Sequence, residues 1–144
     1  MVKITLEGDA ELKAALAKIQ GEIPQEVSNA VLATALEIQG DVKKRIQRGP
    51  ASGRVYVKSS PKRTHQASAP GQAPATDTGR LVNSVMFDQV DKVTAEVSSV
   101  VRYASWLEFG TFKMAARPAW RPAVEKARPK FLARMTTAID RVLK

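Results

Sequence analysis

The residue types able to do covalent or acid–base chemistry are few, and their spacing does not suit it. Cysteine is absent and His65 is the only histidine. That removes disulfides, thiolate nucleophiles and the Cys/His spacings of structural zinc together. His65 falls in a polar, Pro/Gly-rich stretch, whereas a Ser–His–Asp or Cys–His site needs its base held rigidly by a third group. Gly71 and Gly79 are isolated, so neither the Rossmann glycine fingerprint nor the Walker A loop is present. The acids are scattered, with no close pair in a recognisably apolar pocket for paired-carboxylate catalysis. No catalytic residue, metal ligand or cofactor-binding residue is expected, and the chain is not expected to be an enzyme.

The densest constellation suits recognition. Five of the eight aromatics, Tyr103, Trp106, Phe109, Phe112 and Trp120, fall between positions 103 and 120. They stand among Arg102, Arg117 and Arg121. Aromatics and arginines dominate the centres of protein–protein interfaces. The alternative is that these rings plug the end of the core, where sheet meets helix. Glu108, between apolar neighbours, is either a solvated edge carboxylate or the bidentate partner of Arg117 or Arg121; the pair is the favoured reading.

Charge gives the second signal. Twenty-three Lys and Arg against 14 Asp and Glu leave a formal +9, which attracts anionic surfaces such as nucleic acid or an acidic partner. From position 42 to 76 there is no acid. Lys43, Lys44, Arg45, Arg48, Arg54, Lys58, Lys62 and Arg63 supply eight cations there, either a solvated face or a surface for DNA or a partner protein. No uncharged apolar run approaches the ~20 residues of a membrane span, so no membrane partner is expected.

The elements that must position these residues follow from periodicity. With 144 residues, one domain over 1–144 is expected. Val2, Ile4 and Leu6 alternate as in a half-buried strand, and Asp9 is a plausible cap for a short helix bearing Leu12, Leu16 and Ile19. Pro24 suits the first turn of a second, long helix, with Val27, Val31, Ala35, Ile38, Val42 and Ile46 on one face, ending before Gly49-Pro50. Gly40 inside that helix is either a tolerated weak spot or a point of close backbone approach. Residues 49–79 hold four of the eight prolines and four of the eight glycines. Too polar to offset its own ordering entropy, the stretch 49–76 reads as a flexible arm or a segment that orders on a partner, with Arg54–Lys58 a possible short strand. A short helical turn follows Asp77-Thr78-Gly79, then strands near Met86–Val90 and Val93–Val101 joined at Asp91-Lys92. Leu132, Met135, Ile139 and Val142 mark the apolar face of a terminal helix that Pro129 starts or kinks. The fold class is α+β: a small antiparallel sheet packed against one long helix and a C-terminal helix, with a long flexible basic loop.

Three segments carry a resemblance. They are Thr78-Gly79-Arg80-Leu81-Val82-Asn83-Ser84, then Tyr103-Ala104 with Leu107-Glu108-Phe109-Gly110-Thr111, then Arg117-Pro118-Ala119-Trp120-Arg121-Pro122-Ala123. In this order and at these spacings they resemble the "gene product ten"-like tail-component family of long-tailed bacteriophages. The pattern there reads like T-G-x-L-x-x-S, Y-A-x-x-x-E-F-G-T and a Pro-Phe-(Leu)-Arg-Pro-Ala block opening the last helix. The departure is Pro118-Ala119-Trp120, where the family usually places phenylalanine directly after the proline; Trp120 supplies aromatic bulk one position later.

The resemblance implies a structural virion protein of the neck, a head–tail joining or tail-completion subunit made in the bacterial host cytoplasm. It implies a homo-oligomeric ring, a hexamer or dodecamer, between the head connector or stopper and the tail-tube or tail-terminator proteins, with genomic DNA passing through. It marks Thr78, Gly79, Leu81, Ser84, Tyr103, Trp106, Glu108, Phe109, Gly110, Thr111, Arg117, Pro118, Trp120, Arg121 and Pro122 as interface or family-motif residues. A closed ring needs two different patches per subunit; the aromatic turn and the long helix are candidates for one each. The basic arm is a candidate for insertion into a neighbouring ring or for sequence-independent contact with DNA in the channel. The competing reading is a stand-alone, sequence-nonspecific nucleic-acid-binding domain. Against it, the aromatics cluster away from the cations, whereas stacking platforms interleave the two.

Overall fold

The computed structural model describes residues 9–142; the strand expected at Val2–Leu6, and the side chains of Asp9, Leu12, Leu16 and Ile19, lie outside what is described. The order of elements is α1 (Asp9–Gln47), β1 (Val55–Ser59), β2 (Lys62–Gln66), α2 (Arg80–Asn83), β3 (Val85–Asp91), β4 (Thr94–Ser99), α3 (Tyr103–Phe109) and α4 (Trp120–Val142). This is an α+β fold.

α1 is one helix of 39 residues, not the two helices that Pro24 suggests. A helix already nucleated propagates cheaply, and an interior proline removes a single backbone donor. The buried face follows the apolar spacing: Val42 and Ile46 are completely buried and Ala35 nearly so. A Cβ placed on Gly40 meets no atom within 4 Å, which fits a tolerated weak spot and not close backbone approach.

The core lies where the C-terminal half of α1 meets α2, the β3–β4 hairpin, α3 and the start of α4. Val42, Ile46, Leu81, Val82, Val85, Val101, Ala104, Ala119 and Ala123 close it, with Tyr103, Leu107 and Trp120 packed at its margin. β3 and β4 pair antiparallel, with Asp91 accepting a hydrogen bond from the Val93 N–H at 2.8 Å to form the turn. Val85, Phe87 and Gln89 alternate toward α1, and Gln89 reaches Ser28 on that helix at 3.4 Å.

Instead of one sheet there are two separate two-stranded sheets. The second, β1–β2, occupies the stretch expected to be a flexible arm or a segment that orders on a partner; β1 lies close to the short strand expected at Arg54–Lys58, and β2 is additional. Its order comes from charge and backbone, since little apolar surface is buried there. Asp77 gathers Lys58, Arg63 at 2.9 Å and the His65 Nδ1 at 3.7 Å. Backbone bonds run from the Gly53 N–H to the Ala67 carbonyl and from the Ala67 N–H to the Arg54 carbonyl at the hairpin's base. Gly49 abuts the Pro74 carbonyl so closely that a Cβ would clash.

α4 starts at Trp120, inside the Arg117–Ala123 block as the resemblance implies, and carries Pro129 in its interior. Its buried face departs from expectation: Ala123, Ala127 and Ala138 are buried against α1, while Leu132 and Ile139 are exposed. Small residues let two backbones approach closely, so alanine, not leucine, forms this seam. Asp41 with Lys126 at 2.8 Å, Glu37 with Lys130 and Arg134, and Glu26 with Arg141 at 3.4 Å pair the two helices antiparallel. Such half-exposed pairs contribute little individually, but four in sequence fix the register.

Candidate assembly surface

The surface is built around the α3–α4 junction, and its keystone is Glu108. The carboxylate is only 8% exposed and pairs with no guanidinium among the described residues. Its Oε2 accepts the backbone N–H groups of Ala119 (2.7 Å) and Trp120 (3.0 Å), and its Oε1 that of Arg121 (2.7 Å). These are donors that a helix N-terminus leaves orphaned, and the negative charge also meets the positive end of the helix dipole. Glu108 therefore caps α4 from eleven or more residues upstream. This corrects the expected Glu108–Arg pair: the partners are backbone amides, which explains both the burial and the early start of α4.

Arg117, freed from Glu108, makes other bonds. Its backbone N–H reaches the Leu107 carbonyl at 2.6 Å and its Nε the Ser68 carbonyl at 3.1 Å, tying the junction to the segment after β2. Gly110 closes α3 at φ +78°, where a Cβ would lie 2.8 Å from the Met114 carbonyl oxygen; only glycine combines that backbone with that approach. Thr111 and Met114 then form an isolated bridge.

On this frame the rings divide. Tyr103 and Trp120 pack at the core margin as structural fillers. Trp106, Phe109 and Phe112 are 56%, 72% and 95% exposed, and Val100 joins them at the surface. Val100, Val101, Ala104, Phe109 and Trp120 line an open groove of about 420 Å³. Lys113 stands 5.1 Å from the Phe112 ring centre, within cation–π range. Exposed rings on a backbone this constrained lose little entropy on docking, a property of interface anchors.

Most of the remaining motif residues belong to the frame. Gly79 adopts φ +76° before the single turn of α2, and the Arg80 N–H approaches the Thr78 Oγ at 3.4 Å. Leu81 enters the core, and Ser84 joins the Leu81 carbonyl and the Ser99 hydroxyl, both at 2.7 Å. Pro118 and Pro122 are half-buried beside the α4 start, while Arg121 and Thr111 are exposed.

Three of the eight cations are engaged in ion pairs. Arg45 pairs with Asp41, and Lys58 and Arg63 with Asp77. Among the described residues Lys43, Lys44, Arg48, Arg54 and Lys62 form no ion pair, and Arg54 lies over the Tyr56 ring at 5.4 Å. Lys58, Arg63 and His65 hold the Asp77 carboxyl below the usual carboxylate range, the Lys58 hydrogen bond foremost. No group of three metal-ligating side chains occurs among the described residues, and no described helix is long and apolar enough to cross a membrane.

Residues 10–110 match the family model described as "Bacteriophage HK97-gp10, putative tail-component". The chain belongs to this HK97-gp10-like family. The match takes in the Thr78–Ser84 and Tyr103–Gly110 motifs, while the Arg117–Ala123 block lies beyond it. The chain is thus a bacteriophage tail component by family, with virion proteins as its expected company. No curated protein and no solved structure shows significant similarity to the chain. The feature of this motif that sequence reasoning does not reach is the Glu108 cap: a lone acid preceding a Pro-rich helix start is its trace.

Proposed function

We propose that this tail component is a head–tail joining or tail-completion subunit of the phage neck, forming a ring that links the head connector to the tail tube. One observation carries the reading: Val100, Trp106, Phe109 and Phe112 are displayed to solvent by a junction whose backbone is fixed by Glu108, Gly110 and Arg117. A virion protein at an interface between layers needs such a rigid apolar anchor. Val100 and Phe109 line one groove, and large apolar side chains exposed in a group, unlike those scattered singly, mark interaction sites. Lys113, Arg102 and Arg121 flank the rings, so the neighbour that covers them is apolar with acidic margins.

The test is the pair Trp106→Ala with Phe109→Ala. Both side chains are exposed, so thermal midpoints stay near wild type. Anchor aromatics cost about 2 kcal/mol or more when truncated, roughly 30-fold each in affinity. Complementation of a phage lacking this chain then yields unjoined heads and tails by electron microscopy. Normal virion yield from the double variant excludes this surface as the joint.

The unpaired cations favour one addition. Lys43, Lys44 and Arg48 at the end of α1 suit sequence-independent contact with phosphates passing through a ring. Reversing all three lowers duplex affinity and flattens its salt dependence, by up to about 0.9 in slope for each phosphate no longer neutralised. Tight duplex binding by a monomer that never assembles would instead favour the stand-alone nucleic-acid-binding domain.

A further inference from the structure

The outer face of the β3–β4 hairpin is electrostatically out of place. Alternation along the strands turns Met86, Asp88 and Val90 away from α1, and all three are exposed. The register places Asp88 directly opposite Glu96. Like charges opposite one another on a sheet destabilise it, and neither has a cation partner among the described residues. Several other acids of this basic chain are employed, Glu26, Glu37, Asp41 and Asp77 in ion pairs and Glu108 on backbone amides; Glu125 and Asp140 form no ion pair among the described residues either, but neither stands opposite a like charge on a sheet. A half-apolar sheet face bearing uncompensated negative charge is unpartnered in the single chain.

The β1–β2 hairpin has the complementary character. Its inner face is occupied by Asp77. On its outer face Val55 and Val57 stand opposite Gln66 and Thr64, with Lys62 at the end of the same row, all exposed. Lys62 forms no ion pair among the described residues, whereas Arg54 alternates onto the other face, over the Tyr56 ring at 5.4 Å. A two-stranded hairpin with an uncovered apolar face is marginal in water, and this one carries the opposite charge to the β3–β4 face. No hydrogen bond or ion pair among the described residues joins the two surfaces within the chain.

We propose that the β3–β4 outer face receives the β1–β2 hairpin of a second copy of this chain. Lys62 of one copy pairs with Asp88 and Glu96 of the other, while Val55 and Val57 cover Met86 and Val90. The inference rests on the reading that this tail component self-assembles, and it names the two patches through which it does so. Because they differ, the contact is head-to-tail, and repeated it closes into a ring or continues as a filament. The aromatic patch, flanked by Arg102, Lys113 and Arg121, repels a basic hairpin and stays open for a different virion protein.

Charge exchange tests this directly. One variant carries Asp88→Lys and Glu96→Lys, another Lys62→Glu, with folding of each checked by circular dichroism. Alone, each places like charges at every contact, and its assembly midpoint in sedimentation velocity rises roughly tenfold or more. Mixed in equal amounts, the two co-assemble in alternation, because every acidic hairpin then finds a basic sheet. In an equal mixture of 15N-labelled and unlabelled wild type, carbodiimide coupling joins Lys62 of one isotope to Asp88 or Glu96 of the other. Reversed variants that assemble like wild type, a folded mixture that fails to recover, or wild type that never self-associates each overturns the docking proposal. Loss of head–tail joining in the Trp106/Phe109 variant remains a separate result, so the joining role can stand when this contact falls.

Discussion

The α3–α4 junction and the β1–β2 hairpin are each organised by a single carboxylate, and they use it in opposite ways. Glu108 is buried and directs its charge to three backbone amides of one helix. Asp77 directs its charge to side chains, holding Lys58, Arg63 and His65 from one face of a hairpin. The first arrangement locks main chain to main chain and makes the junction part of the core. The second clips a projecting element to the body through long, flexible side chains. Rigidity belongs where exposed aromatics are displayed, and a detachable clip belongs where a segment seeks a partner.

The comparison breaks most sharply at Glu108→Ala. Three amide donors next to the fully buried Ala119 would lose their acceptor, and each hydrogen bond to a charged group contributes about 1.5–3 kcal/mol. Water relieves part of the loss, so a global destabilisation of about 3 kcal/mol is expected, read from the urea midpoint. Glu108→Gln should show less than half of that loss, because the amide oxygen still accepts while the amide nitrogen meets a donor. A change below about 0.5 kcal/mol, the range of ordinary surface substitutions, would show that the cap is incidental.

Asp77→Asn is the counterpart and should leave the urea midpoint nearly unchanged. The expected effect is local: faster amide exchange and protease cleavage within Val55–Gln66, with α1 and α4 still protected. Acid gives the same release without mutation. Folding lowers the pKa of Asp77, so its contribution is complete above the unfolded-chain value and is lost as pH falls through the lower folded value. The hairpin should therefore stay closed from neutrality to the ordinary carboxylate range and open below it. Glu37 is also lowered, by hydrogen bonds from Lys130 and then Arg134. For Asp41 burial pushes upward, but Lys126 and Arg45 outweigh it. The α1–α4 ladder thus weakens in the same acid window, and the Asp77→Asn chain separates the two events by having already lost the first.

How much of each region is legible in the sequence follows from the same contrast. Periodic apolar burial is a local signal, so the Val42 and Ile46 face of α1 and the Ala95–Val97 alternation of β4 can be read directly. Periodicity does not give the start of α4, because its capping group lies in the preceding helix and Pro129 is the stronger local punctuation; only the resemblance of the Arg117–Ala123 block marks it. The seam of Ala123, Ala127 and Ala138 is hidden for a related reason. A close-packed alanine face has low hydrophobic contrast, and the more apolar Leu132 and Ile139 face outcompetes it in any periodicity while it faces solvent. The hairpin escapes any reading that treats burial as the sole source of order. Its trace is Asp77 itself, the first acid after a long cationic stretch. Which motif aromatics are surface and which are core is likewise open until the backbone around Gly110 fixes their directions.

The smallest effect sharpens the comparison most, because its sign differs between the free and assembled chain. Glu96→Lys converts a like-charged cross-strand pair with Asp88 into an opposite-charged one. In the isolated chain this should stabilise β3–β4 by about 0.2–1 kcal/mol, seen as a small rise in the thermal midpoint at low salt that shrinks as salt screens it. Most substitutions destabilise, so a gain at an exposed site argues that Glu96 is kept for something other than folding. The same change removes a charge that a basic hairpin needs, so self-association should weaken while the monomer strengthens. If stability and association moved in the same direction, Asp88 and Glu96 would be an ordinary solvated pair.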